Sequence, residues 1–326
     1  MKLLTQEQIT AFKNFIDSHN TFIITGHKEP DGDCIASSLG MAHLLKACGK
    51  TYCLLNVGPF KRTEIRPYEK YFTSVLPKSI LKAENVGVII VDCSELSRLG
   101  DVDPVITRLD TYILDHHKTA ECTEKSIIDP SSPAASCIVQ QLFEALAGPL
   151  DKETADILFF GLSTDTGFFR FLDSNSSEVF LAASRLVAAG ANPRTTYDFI
   201  TGGKPWSTRK LLGTMLDKAD RYYGGRLVIT TENLEDTRRM GSEGRDSDSL
   251  YQLLLAVEGV EAVVFVREET DKTCTLGFRS RNDVDVSSIA SVFGGGGHKN
   301  ASGALTEGTP GTLIPKIKEE FSKFFK

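Results

Sequence analysis

Val86-Gly87-Val88-Ile89-Ile90-Val91-Asp92 is the stretch on which the reading of this chain turns. Six uncharged residues in succession lack the polar alternation of a strand with one wet face, and the run is short for a buried helix. It reads as a strand covered on both sides, the kind found inside a parallel sheet. Parallel sheets place ligand sites beyond the carboxyl ends of their strands. Asp92, the first polar residue after the run, therefore falls where chemistry is expected.

The same pattern recurs on either side. Phe22-Ile23-Ile24-Thr25 is a short β-rich run followed by His27, and Tyr52-Cys53-Leu54-Leu55 is another strand. Tyr112-Ile113-Leu114 leads directly into Asp115-His116-His117. Helical spacing of apolar residues fills 37–46, 133–147, 151–162 and 176–189. Strands alternating with helices predict an α/β fold, a parallel-sheet, three-layer N-terminal domain. Composition breaks at Gly190-Ala191-Asn192-Pro193 and Gly202-Gly203-Lys204-Pro205. We place the first domain at 1–189, a linker at 190–214 and a smaller α/β domain at 215–326. The second has strands at 226–231, 262–267 and 273–280, a helix at 249–257 and an apolar C-terminal helix. The active site is expected in the cleft between the domains. Neither an internal repeat nor a low-complexity segment is visible.

Bulk properties narrow the class. A chain of 326 residues exceeds one typical core, so two domains are expected. Hydrophobic content of 41% and charged content of 25% are ordinary for a soluble protein. No apolar run approaches the ~20 residues that span a bilayer. The N-terminus turns polar too soon for a signal peptide. With seven cysteines and no CxxC pair, the thiols read as reduced, in a cytoplasmic protein with no membrane partner. Cys34 and Cys93, beside candidate ligands, read as small buried residues. A net charge of −6 without a basic stripe argues against tracking long nucleic acid, duplex included.

His27, Asp31 and Asp33 lie within seven residues, with Pro30 and Gly32 shaping the turn. An extended turn would aim Asp31 and Asp33 in different directions, which suits two adjacent ions. Asp92 would bridge them, and His116 and Asp165 would complete the second. Oxygen and imidazole donors without thiolate pairs favour Mn²⁺, with Mg²⁺ or Co²⁺ as substitutes. Taken singly, each residue has a plainer explanation as a cap, turn or surface group. Jointly, at one sheet edge, they indicate a two-metal phosphoester hydrolase. Further on, Gly294-Gly295-Gly296-Gly297-His298, with Asn300 and Ser302, reads as a loop whose backbone N–H groups converge on an anion. Arg279 ends a strand that faces the same way, although Arg281 is close enough to leave the choice open. Arg98, six residues after Asp92, is a third candidate phosphate contact.

These segments resemble the four motifs of the DHH phosphoesterase superfamily, named for the triplet at Asp115-His116-His117. The glycine run, continuing Lys299-Asn300-Ala301-Ser302-Gly303, resembles the type-1 DHH-associated domain. Size and motif order are similar to the small bacterial bifunctional oligoribonucleases and pAp phosphatases of that superfamily. The resemblance implies two Mn²⁺ ions, one on His27, Asp31 and Asp92, the other on Asp33, Asp92, His116 and Asp165. It implies that His117 faces the scissile phosphate, that Asp115 orients the imidazoles, and that Arg279 and His298 hold a more distant phosphate. The activity it implies is exonucleolytic hydrolysis of RNAs of two to five nucleotides, pApA included, to mononucleotides. Conversion of 3′-phosphoadenosine 5′-phosphate (pAp) to AMP is implied alongside, by a monomer or homodimer. Rivals are a single-strand DNA exonuclease, which would be larger and more basic, and a cyclic-dinucleotide phosphodiesterase, which would bring membrane and sensor segments. An inorganic pyrophosphatase would resemble a different C-terminal domain. A nucleotide-binding regulator that has lost catalysis would lack at least one of the six ligands.

Overall fold

A computed structural model describes residues 1–102, 104–117, 120, 122–241 and 246–325, in two units, Met1–Gly203 and Lys204–Lys326. The first is built on β1 (Thr21–Thr25), β2 (Thr51–Leu55), β3 (Val86–Val91), β4 (Asp110–Asp115) and β5 (Ser126–Ile128), in the order β2-β1-β3-β4-β5. Every neighbouring pair is parallel. β1 and β3 expose no residue, which is why both read as unbroken apolar runs. The three-residue β5 opens on a serine and has no such signature, so the sequence did not reveal it.

Around this sheet lie α1 (Gln6–Ser18), α2 (Gly32–Ala47), the single turn α3 (Lys78–Leu81), α4 (Ala135–Leu146), α5 (Lys152–Asp165), α6 (Ser177–Ala188) and α7 (Pro193–Thr201). Phe22, Ile24, Ile89, Val91 and Leu114 pack with Ile35, Leu39, Val139 and Leu158 of α2, α4 and α5. The opposite face, with Ile23, Val88 and Ile90, is covered by the thinner layer of Leu76, Ile80, Leu99 and Ile106. α2, α4 and α5 meet at Gly161. A Cβ there would sit 2.6 Å from that of Ala36 and 2.9 Å from that of Ser136. This close approach brings the helices that carry the acidic residues into direct contact.

The second unit contains α8 (Trp206–Asp217), β6 (Asp220–Tyr222), β7 (Leu227–Glu232), α9 (Leu234–Met240), α10 (Ser247–Leu255), β8 (Ala262–Glu268) and β9 (Thr273–Ser280). It ends with α11 (Val286–Val292), β10 (Gly296–His298), β11 (Ala301–Glu307) and α12 (Pro310–Phe321). The order is β10-β11-β9-β8-β7-β6, antiparallel except between β7 and β8. Phe278, Leu276 and Val264 pack under α11 and α12, and Val263 and Phe265 under α8 and α10. The stretch 190–214, expected as a connection, is mostly helical: α7 belongs to the first unit and α8 to the second. Among the described residues no helix is long and apolar enough to cross a membrane.

Candidate metal centre

Three strand ends and two helix ends supply the cluster. His27 follows β1, Asp92 follows β3, and Asp115-His116-His117 close β4. Asp31 is the N-cap of α2, its Oδ1 accepting from the amides of Asp33 at 3.2 Å and Cys34 at 3.1 Å. The expected extended turn between Asp31 and Asp33 is thus corrected. Aspartate satisfies the free amides of a first helical turn, so the helix starts at Gly32. The two carboxylates still part, Asp31 toward His27 and Asp33 toward His116. Asp165 is the last residue of α5.

Asp92 stands between two imidazoles. Its Oδ2 lies 3.4 Å from His27 Nε2 and its Oδ1 3.3 Å from His116 Nε2. His116 Nε2 is also 3.4 Å from Asp165 Oδ2 and 3.9 Å from Asp33 Oδ2, and His27 Nε2 is 3.8 Å from Asp31 Oδ1. Each ring is anchored through Nδ1, 2.9 Å from the Lys28 carbonyl for His27 and 3.2 Å from that of Ser132 for His116. A ring donating from Nδ1 presents a lone pair at Nε2, the arrangement common to metal-binding histidines. Asp92 holds a positive φ of 55° without being glycine, a strain worth about 1–3 kcal/mol.

The electrostatics are those of a crowded anionic cage. Burial opposes charging His27, yet Asp31 and Asp92 raise its pKa to about 10. Burial also opposes charging His116, which Asp92 and Asp33 raise to about 10. Burial and the neighbouring Asp33, Asp31 and Asp92 push Asp165 up to about 9, and burial with Asp92 raises Asp33 likewise. Asp31 resists its own burial and is held at about 2, chiefly by His27.

The donor set fits divalent cations. Asp92 Oδ1 and His116 Nε2 are buried without a hydrogen-bond partner. Metal bonds of about 2.1 Å put neighbouring donors ~3 Å apart, close to the observed 3.3 and 3.4 Å separations. Oxygen and imidazole suit hard or borderline ions.

Two aspartates act on the cluster's frame. Fully buried Asp33 accepts from the amides of Ala135 at 2.6 Å and Ser136 at 3.0 Å, capping α4, whose own N-cap residue makes no side-chain bond. Asp115 Oδ1 accepts from the amides of His116 at 2.7 Å and His117 at 3.2 Å, and bonds His117 Nδ1 at 2.7 Å. His117 is left with Nε2 as its available nitrogen. Despite burial, this partner lowers the Asp115 pKa.

The sequence missed two contributors. Buried Asn56 donates to the His27 carbonyl at 3.0 Å, and the charge of Arg62 helps keep Asp31 ionised. A lone asparagine or arginine in a loop carries no signal of this kind. Arg98 is half-buried, and its carbonyl accepts from the Lys28 amide at 2.8 Å, bracing the His27 loop.

In the second unit the glycine run is only partly a loop. Gly296 and Gly297 belong to β10, the sheet's edge strand, and the turn follows at Lys299-Asn300. Gly297 has φ 144°, and a Cβ there would lie 2.6 Å from the Ala301 carbonyl oxygen, so only glycine fits. Gly295 is half-buried. Asn300 donates to Ser280 Oγ at 3.0 Å, which ties the turn to β9. His298 pairs with Ala301, and Ala301 with Arg279. Residues paired across strands share a face, so His298 and Arg279 flank one small side chain on strands ~10 Å apart. The Arg279 guanidinium lies over the Tyr251 ring at 4.6 Å and 4.0 Å from Asp248. Arg281 lies beyond the strand and is exposed.

The first unit matches the DHH family, N-terminal domain, over residues 21–162, and the second the DHHA1 domain over residues 229–326. The chain belongs to the DHH family. More particularly, it is similar to the bifunctional oligoribonuclease and PAP phosphatase NrnA of Thermus thermophilus, 32% identical over 87% of this chain and 84% of that protein. The protein of the same name from Mycoplasma genitalium is 26% identical over 91% of this chain and 92% of its own. The crystal structure of an exopolyphosphatase-related protein from Bacteroides fragilis shares the fold, with a TM-score of 0.85, 24% identity, and coverage of 100% of this chain and 99% of that one.

Proposed function

We propose that this protein is a divalent-metal phosphoesterase that hydrolyses very short oligoribonucleotides and removes the 3′-phosphate of pAp. The observation that carries the reading is Asp92, one buried carboxylate whose two oxygens face two different imidazoles. His27, Asp31 and Asp92 would hold one ion, and Asp33, Asp92, His116 and Asp165 a second, with Mn²⁺ the best match to the donors. Bound there, the ions supply an activated water and neutralise charge on phosphoryl oxygens.

His117 is a hydrogen-bond donor to the phosphoryl or leaving oxygen through Nε2. Asp115 keeps the proton on His117 Nδ1 and fixes the ring's orientation. Arg279 and His298 hold a second phosphate of the substrate, with Tyr251 supporting the guanidinium plane. Both pApA and pAp carry one phosphate to be cut and one to be held, which joins the two activities in one recognition rule. The net charge of −6 works against longer, more heavily charged strands.

Product analysis over time, with Mn²⁺ and 5′-labelled RNAs of two, five and about twenty-four nucleotides beside pAp and pyrophosphate, tests this. Rapid loss of the shortest RNAs and pAp is expected. Fast cutting of the long RNA, or of pyrophosphate alone, would overturn the substrate assignment.

A further inference from the structure

Cys34 sits in the first turn of α2, directly after Asp33, and is fully buried. Its sulfur, one nitrogen of His27 and one oxygen of Asp92 lie within 4.8 Å of one another, all on buried residues. The thiol is lodged under the backbone that leads into His27, since a Cβ on Gly26 would come within 2.4 Å of the sulfur. The Asp92 oxygen nearest His27 is Oδ2, 3.4 Å from its Nε2. Oxygen and imidazole donors alone discriminate weakly among divalent ions, whereas a thiolate strongly favours soft or borderline ones.

We infer that Cys34 makes the His27 side of the centre a site for thiophilic divalent ions. His27, Asp92 and Cys34 together form a nitrogen–oxygen–sulfur set that takes zinc or cadmium in preference to Mn²⁺. The metal–sulfur bond forms as the S–H bond breaks, and the thiol proton passes to solvent. Cys34 thereby sets metal selectivity, and a soft ion held there excludes the hard one. This rests on the metal-centre reading above.

Cadmium titrated into the metal-free full chain should raise an ultraviolet sulfur-to-metal charge-transfer band. The band should survive in Cys122→Ser, whose thiol is exposed. It should vanish in Cys34→Ser, with cadmium affinity falling at least ~10-fold. An undiminished band in folded Cys34→Ser, or cadmium bound without a band, overturns the inference. If Cys34→Ser fails to fold, cadmium NMR of the wild-type chain decides, a resonance from a site with one sulfur supporting it and one from an all-oxygen-and-nitrogen site refuting it. Manganese binding, followed by electron paramagnetic resonance on the same wild-type protein, separates the failures. Manganese bound beside a sulfur-free cadmium site refutes the role of Cys34 alone, whereas binding of neither ion refutes the metal centre itself.

Discussion

Asp92 Oδ1 lies 3.3 Å from His116 Nε2, and both atoms are buried with no hydrogen-bond partner. A divalent cation held between them would partner both atoms. Asp92→Ala should abolish turnover of a two-nucleotide RNA, because both proposed ions lose a donor. The same substitution removes one charge from a crowded acidic cluster. It also strips two buried imidazoles of their shared carboxylate, so the metal-free variant should melt below wild type, while the rise in melting temperature with Mn²⁺ disappears. Differential scanning calorimetry with and without metal reads both effects, and a retained metal-dependent rise would contradict the bridging role.

Metal binding should release protons and strengthen with pH. In the metal-free protein His27 and His116 have pKa values of about 10 and Asp165 of about 9, all raised, so each must shed a proton to coordinate. Calorimetry in two buffers of different ionisation enthalpy should show at least one proton released per ion at neutral pH. Stability moves oppositely without metal. A group with a raised folded pKa stabilises fully below its unfolded pKa, here 6.5 for the histidines and 3.8 for Asp165. That stability is lost as pH climbs through the folded values. The metal-free protein should therefore lose stability from neutral toward alkaline pH, and a melting temperature that rises over that range would be inconsistent with this assignment.

Asp115→Asn should separate positioning from metal binding. The amide no longer selects the His117 tautomer protonated at Nδ1, so kcat should fall ~10²-fold or more. Manganese affinity should change far less, because Asp115 is not among the proposed ligands. The pH profile of kcat should also shift, which a purely structural loss would not cause. Steady-state kinetics and a manganese titration on one preparation decide it.

Gly161→Ala tests how the fold sets the site. The new methyl must displace Ala36 or Ser136, and overpacking of this kind costs ~1–3 kcal/mol. Because α2 carries Asp31 and Asp33 while α5 carries Asp165, Mn²⁺ affinity should weaken as well. Urea unfolding paired with metal titration would show the two losses together, and full stability in the variant would disprove the contact.

Much of the fold was legible because burial leaves a mark on composition. β1 and β3 read as apolar runs since neither face meets water. Asp92 and the Asp115 triplet were legible as the first polar residues past such runs. Asn56 and Arg62 were not, because their roles depend on loops whose course is set by distant contacts. The helical start at Gly32 was misread as an extended turn because Pro30 and Gly32 are also turn residues. Only the free amides of α2 show that Asp31 is a cap.

The sequence by itself determined the donor chemistry, the alternation of strand and helix, and the apolar runs that bring polar residues to strand ends. These follow from residue type and local spacing. Tertiary structure alone decided that Asp92 spans two histidines from different strands. It alone decided that Asp33 also caps α4, and that His298 and Arg279 share a sheet face across Ala301. Those relations join residues up to 103 positions apart, and at that separation only the packing of helices on the sheet and the register of the strands sets which side chains meet.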